Sequence, residues 1–135
     1  MDTKSMILIL LTLAVLVYVI GTCTFFPLAE ATTGIMVALY FDPKFTLWDF
    51  LIDLKNQYPN VPIIAVINPD NGPGDFKNNT YAIDVLKLQA AGINVIGYTF
   101  TNYGQRDVAS IFQDISKYTL WYNVDGIFFD EVASS

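Results

Sequence analysis

The sequence contains no histidine and a single cysteine, Cys23. The first absence removes the imidazole ligands on which a typical zinc site is built, and the second rules out an intrachain disulfide. Basic residues are scarce: seven Lys and Arg stand against 13 Asp and Glu, a net charge of −6. An acidic chain repels phosphate backbones, which argues against a nucleic-acid partner and for a neutral or cationic one. A glycine-rich phosphate loop is also missing. After the first predicted strand stands Asp42-Pro43-Lys44, so a dinucleotide-binding fold loses ground. Nothing in the sequence calls for a cofactor or a metal ion.

What is abundant is apolar surface, 53% of 135 residues, and part of it sits in one N-terminal block. Residues 6–20, MILILLTLAVLVYVI, are uncharged and follow Lys4, the layout of a secretory signal. Ala29-Glu30-Ala31 offers a small-x-small cleavage site. Counting TCTFFPLA as well, the segment reaches the roughly 20 residues that an uncleaved membrane anchor needs. Residues 1–31 are therefore expected to be a signal peptide or a membrane anchor, with residues 32–135 as one secreted or extracytoplasmic domain. Without Asp2, Lys4 and Glu30 that domain keeps 11 acidic and 6 basic residues.

From residue 34 the chain alternates two periods. Ile35 to Phe41 is a continuous apolar run, as in a strand covered on both faces. Thr46 with Asp49 resembles a capping box, and Leu47, Leu51, Leu54 and Tyr58 recur at helical spacing until Pro59. Pro62 to Ile67 is a second strand. Ala82, Ile83, Val85 and Leu86 start a helix that stops at Gly92, a C′ residue. Ile93 to Thr99 is a third strand, Val108, Ile111, Phe112 and Ile115 mark a face of a third helix, and Gly126 to Phe129 form a fourth strand. Strands separated by such helices run parallel. The fold class is α/β, with four strands and three to four helices in (βα) repeats. That arrangement fits an open doubly wound sheet or half of an eightfold barrel, whose full length is about 250 residues.

In parallel α/β folds the C-terminal ends of the strands share one rim, where chemistry concentrates. The unusual residues of this chain fall there: Tyr40 and Asp42; Asn68 and Asp70; Tyr98, Thr101 and Tyr103; Asp130 and Glu131. Asn68-Pro69 with Gly72 and Gly74 reads either as turn chemistry alone or as part of the rim's functional set. The tyrosines either pack or offer a stacking surface. Arg106 reads as solvated or ion-paired, Trp48 and Trp121 as packing, and Asn78-Asn79-Thr80 matches a glycosylation sequon. Asp130 and Glu131 follow the apolar Ile127-Phe128-Phe129, and a carboxyl beside such surroundings suits general acid work. Adjacent strand residues point to opposite faces, so one faces the mouth while the other supports it or is turned inward by the loop. A glycosidic bond is cut between two carboxyls about 5–9.5 Å apart; within this chain Asp42 and Asp70 are the rim candidates for the second.

Tyr40 with Pro43, Asn68-Pro69 with Gly72-Pro73-Gly74, Gly97-Tyr98-x-x-Thr101-x-Tyr103-Gly104-x-Arg106 and Asp125-Gly126-Ile127-Phe128-Phe129-Asp130-Glu131 resemble the motifs of the spherulation-specific (spherulin-4) family. The resemblance covers residues 34 to 133. It implies an eightfold β/α barrel, of which this chain carries the first half. It also implies a glycoside hydrolase acting on α-1,4-linked galactosamine and N-acetylgalactosamine polymers. On that likeness Asp130 and Glu131 correspond to the acidic pair of the fourth strand, and Asn68, Tyr98 and Tyr103 to groove-lining positions. Tyr40, Asp42, Asp70 and Thr101 join them as substrate-binding candidates. The family continues for about another half barrel with a further catalytic glutamate. The expected partners are therefore a cationic polysaccharide, a membrane if the leader is kept, and a second copy or a complementing chain.

Overall fold

The computed structural model describes residues 33–44 and 47–134. The N-terminal run, with the leader or anchor expected in it, and Thr46 of the expected capping box lie outside the described residues. Four strands alternate with three helices: β1 (Ile35–Leu39), α1 (Leu47–Gln57), β2 (Ile63–Ile67), α2 (Asn79–Ala90), β3 (Asn94–Phe100), α3 (Val108–Tyr122) and β4 (Gly126–Asp130). The strands form one sheet in the order β1-β2-β3-β4. Every pair is parallel, with Val37 beside Ala65, Ala65 beside Val95, and Gly97 beside Ile127. The fold is α/β, and consecutive strands that neighbour one another in order are the arrangement of the first half of an eightfold barrel. Among the described residues no helix is long and apolar enough to cross a membrane.

Side chains alternate across a strand, so one face of the sheet carries Leu39, Ile63, Ala65, Ile67 and Val95. These pack against Trp48 and Leu51 of α1, Tyr81, Val85 and Leu88 of α2, and Tyr118 and Tyr122 of α3. Each fully buried Leu or Val here contributes about 1.5–3 kcal/mol relative to leaving it in water. Tyr118 approaches closely because β3 has a glycine beneath it: a Cβ on Gly97 would lie 2.5 Å from the Tyr118 ring. On the opposite face Val66 and Tyr98 are buried, whereas Met36 and Tyr40 are exposed.

Several expected boundaries and faces are shifted. Strand β1 ends at Leu39 rather than Phe41 because the Phe41 carbonyl leaves the ladder and accepts from the Trp48 indole N–H (3.3 Å) and the Tyr81 hydroxyl (3.2 Å). Strands β3 and β4 each run one residue further than expected, since Phe100 pairs with Asp130. Helix α2 begins at Asn79, before the first apolar residue of its repeat, because the Asn78 side chain accepts from the backbone N–H groups of Thr80 and Tyr81; the sequon asparagine is the helix cap. Of the four apolar residues that marked α3, Ile111 and Ile115 are half-buried and none is among its buried residues. Val108 and Phe112 are exposed, and Asp114, Tyr118 and Tyr122 face the sheet. The space above Gly97 and a partner for the Asp114 carboxylate decide this, and neither shows in a hydrophobic repeat. Trp48 is buried as packing, with Trp121 packed against the same core.

Candidate active site

At the C-terminal ends of β1, β3 and β4, Tyr40, Tyr98 and Asp130 meet. The Tyr98 hydroxyl donates to Asp130 Oδ2 at 3.0 Å. Its ring packs edge-on to Tyr40 (centroids 5.5 Å apart) and stacks on Phe128, the residue paired with it in register. Burial, then the hydrogen bond to and the charge of Asp130, push the Tyr98 phenol up to about 12, because both disfavour phenolate. Tyr40 is raised too, by burial first and then by the Asp130 charge. The tyrosines thus stay neutral donors beside an acidic pair. Tyr40 remains 44% exposed and Tyr103 63%, leaving ring surface free for a sugar face.

The acidic pair is held by the loop that follows β3. Asp130 Oδ1 accepts from the backbone N–H of Glu131 (2.8 Å), so both Asp130 oxygens have a donor. The Asp130 carbonyl accepts from Thr101 N–H at 2.9 Å, and the Glu131 carbonyl accepts from Tyr103 N–H at 2.7 Å. The Thr101 hydroxyl lies 2.6 Å from the Glu131 carbonyl and 3.2 Å from that of Asp130. Left-handed backbone gathers here: Asn102 (φ 47°), Tyr103 (φ 52°), Gly104 (φ 80°) and Glu131 (φ 52°). For non-glycine residues such conformations cost about 1–3 kcal/mol each and persist only when the surroundings impose them.

The remaining candidates lie apart. The Asn68 side chain accepts from Gly72 N–H at 2.7 Å and shapes the β2–α2 turn. Asp42 is ion-paired with Lys44 at 2.9 Å, which holds its carboxyl below the usual range. Asp70 lines a small cavity with Asn71 to Asp75, Arg106, Asp114 and Lys117. Neither carboxyl is among the groups touching Asp130. Among the described residues no cluster of three or more His, Cys, Asp or Glu could hold a metal ion.

Residues 34–135 match the model of spherulation-specific family 4. The chain belongs to that family. Spherulin-4 of Physarum polycephalum is 36% identical over 130 residues, covering 95% of this chain and 37% of that protein. The crystal structure of Sph3 from Aspergillus clavatus in complex with GalNAc superposes with a TM-score of 0.70 at 32% identity, covering 76% of this chain and 45% of that one. The chain thus spans less than half the length of both relatives.

The sequence reading gave no role to Thr99, inside the motif that ends in Arg106, or to Asp114, eight residues beyond it. Arg106 donates to Thr99 Oγ1 (2.8 Å), the Phe100 carbonyl (3.0 Å) and Asp114 Oδ2 (2.7 Å), and its guanidinium covers the Phe100 ring. Thr99 donates to the same Asp114 oxygen. The signal for this buried group was present: Asp114 stands one turn before Tyr118 and two before Tyr122, on the face that packs on the sheet. A carboxylate in that row needs a cationic partner.

Proposed function

We propose that this chain is a glycoside hydrolase-like domain that binds an extracellular amino-sugar polysaccharide, an α-1,4-linked galactosamine or N-acetylgalactosamine polymer. Asp130 or Glu131 supplies one catalytic carboxyl. The observation that carries this reading is the hydrogen bond from Tyr98 to Asp130 beside the open ring of Tyr40. An oriented carboxylate next to an aromatic wall is what a sugar ring requires at the point of cleavage. Its relationship to Sph3, solved with GalNAc, supports the sugar class. Tyr40, Tyr98 and Tyr103 line the groove, and the acidic balance of the domain suits a partly deacetylated, cationic polymer.

A second reading, a non-catalytic carbohydrate-binding or assembly module, is favoured by one observation. Asp42 is engaged by Lys44 and Asp70 lines a different cavity, so neither rim candidate supplies the carboxyl that would oppose the pair. A second copy or a complementing chain that supplies it would also cover the apolar side chains exposed at the outer strands, Ile35 and Met36 of β1 and Phe129 of β4. Export, with the N-terminal segment as signal or anchor, places the domain where such polymers occur.

Asp130→Asn and Glu131→Gln, each assayed for release of reducing ends from a galactosamine polymer and for binding to it, separate the readings. Cleavage by the unmodified chain that either amide abolishes while binding persists supports the hydrolase. Binding without cleavage in every form selects the module, and absence of both overturns the proposal.

A further inference from the structure

Neighbouring residues of a strand project to opposite faces, and Asp130, the last residue of β4, turns its carboxylate to the Tyr98 hydroxyl. The alternation is broken at Glu131, which lies just beyond β4 with a φ of 52°. A glutamate does not take up this conformation without help, and the help is visible. Its carbonyl receives the Tyr103 N–H at 2.7 Å and the Thr101 hydroxyl at 2.6 Å. We propose that Thr101 is a positioning residue, whose hydroxyl holds the backbone of Glu131 in the left-handed conformation and so brings the second carboxylate to the same mouth as the first.

The proposal rests on the functional reading above and changes the part expected of Thr101, from polymer contact to support. A hydroxyl has one proton to donate, and here two carbonyls of the acidic pair stand at its oxygen. Thr101 is itself fixed. Its N–H donates to Asp130, and its carbonyl accepts from Gly104 N–H and Arg106 N–H, each at 3.1 Å. The Arg106 guanidinium ties the adjoining Phe100 carbonyl and Thr99 hydroxyl to Asp114 of α3. The support therefore runs from a helix through the end of β3 to the tip of β4, and it acts on the backbone of Glu131, not on the sugar.

Thr101→Val keeps the shape and removes the hydroxyl; Thr101→Ser restores it. Three-bond NMR couplings and the Cα shift of Glu131 distinguish positive from negative φ in the full chain without reference to activity. The expected result is positive φ in the unmodified protein and in Thr101→Ser, and relaxation to negative φ in Thr101→Val. On a galactosamine polymer, Thr101→Val is expected to lower kcat about 100-fold, the penalty of a carboxylate misplaced by about an ångström, with KM nearly unchanged and Thr101→Ser close to the original rate. Glu131 staying left-handed in Thr101→Val overturns the proposal, as does a Thr101→Val effect confined to KM. Relaxation of Glu131 in a chain that cleaves nothing upholds the positioning role and removes the hydrolase reading instead. Should Thr101→Val not fold, the unmodified protein still decides: a scalar coupling across the Tyr103 N–H to Glu131 carbonyl bond and a slowly exchanging Thr101 hydroxyl are required, and absence of either overturns the proposal.

Discussion

The ring of Tyr118 lies against the backbone of Gly97, with three ring carbons within 2.8 Å of where a Cβ would stand. This contact sets how closely α3 approaches β3, and the Tyr118 hydroxyl reaches on to the Ile67 carbonyl at 3.3 Å. Gly97→Ala is therefore expected to destabilise the domain by about 1–3 kcal/mol, the usual result of overpacking a core. A lowered denaturant midpoint at unchanged slope checks it.

Arg106 and Asp114 are the charged groups whose separation should be most damaging. Both side chains are largely covered, 18% and 11% exposed. Arg106→Met leaves the Asp114 carboxylate with only Thr99 as donor, and a loss near 3 kcal/mol is expected, the low end for breaking a buried pair. Asp114→Asn keeps an acceptor for Arg106 and Thr99 and should lose less. Thermal unfolding of the two variants under one buffer gives the order.

Tyr98→Phe removes the donor to Asp130 Oδ2 and keeps the stacking on Phe128. A hydrogen bond to a charged group contributes about 1.5–3 kcal/mol, so a loss of about that size is expected. If the mouth cuts polysaccharide, the rate should fall more than the affinity, because the carboxylate loses orientation while the aromatic wall remains. Steady-state kinetics beside a binding isotherm shows the split.

Alkaline pH should weaken this domain through its buried tyrosines. Burial first, then the Asp42 charge for Tyr81 and the hydrogen bond to Asp130 for Tyr98, pushes both up to about 12, whereas in the unfolded chain phenols ionise near 10. Between these values the unfolded state has released protons that the folded state keeps. The stabilisation is thus complete below about pH 10 and is lost as pH rises toward 12. Denaturant midpoints at about pH 9 and 11 should differ, and Tyr98→Phe should reduce the difference.

The order of elements was legible because it depends on local pattern. Runs such as Ile63 to Ile67 have strand length and β-branched content, and Pro59, Gly92 and the Asn68–Gly74 turn punctuate them. Which face of a helix is buried was less legible. Val108 and Phe112 look like core and are exposed, while Asp114 looks like surface and is buried, because a partner on another element, Gly97 of β3 or Arg106 of the β3–α3 loop, changes what a position tolerates.

The sequence by itself determined an α/β chain of four parallel βα steps, an acidic balance, and a rim where Tyr98, Asp130 and Glu131 would converge, since period, charge and strand direction are properties of neighbouring residues. Only the tertiary structure decided that Asp42 and Asp70 stand away from that pair, that the Thr101 hydroxyl meets the carbonyls of both its members, and that Glu131 takes a left-handed backbone just beyond β4. The last two depend on hydrogen bonds between segments about thirty residues apart, formed only once the sheet brings the ends of β3 and β4 side by side.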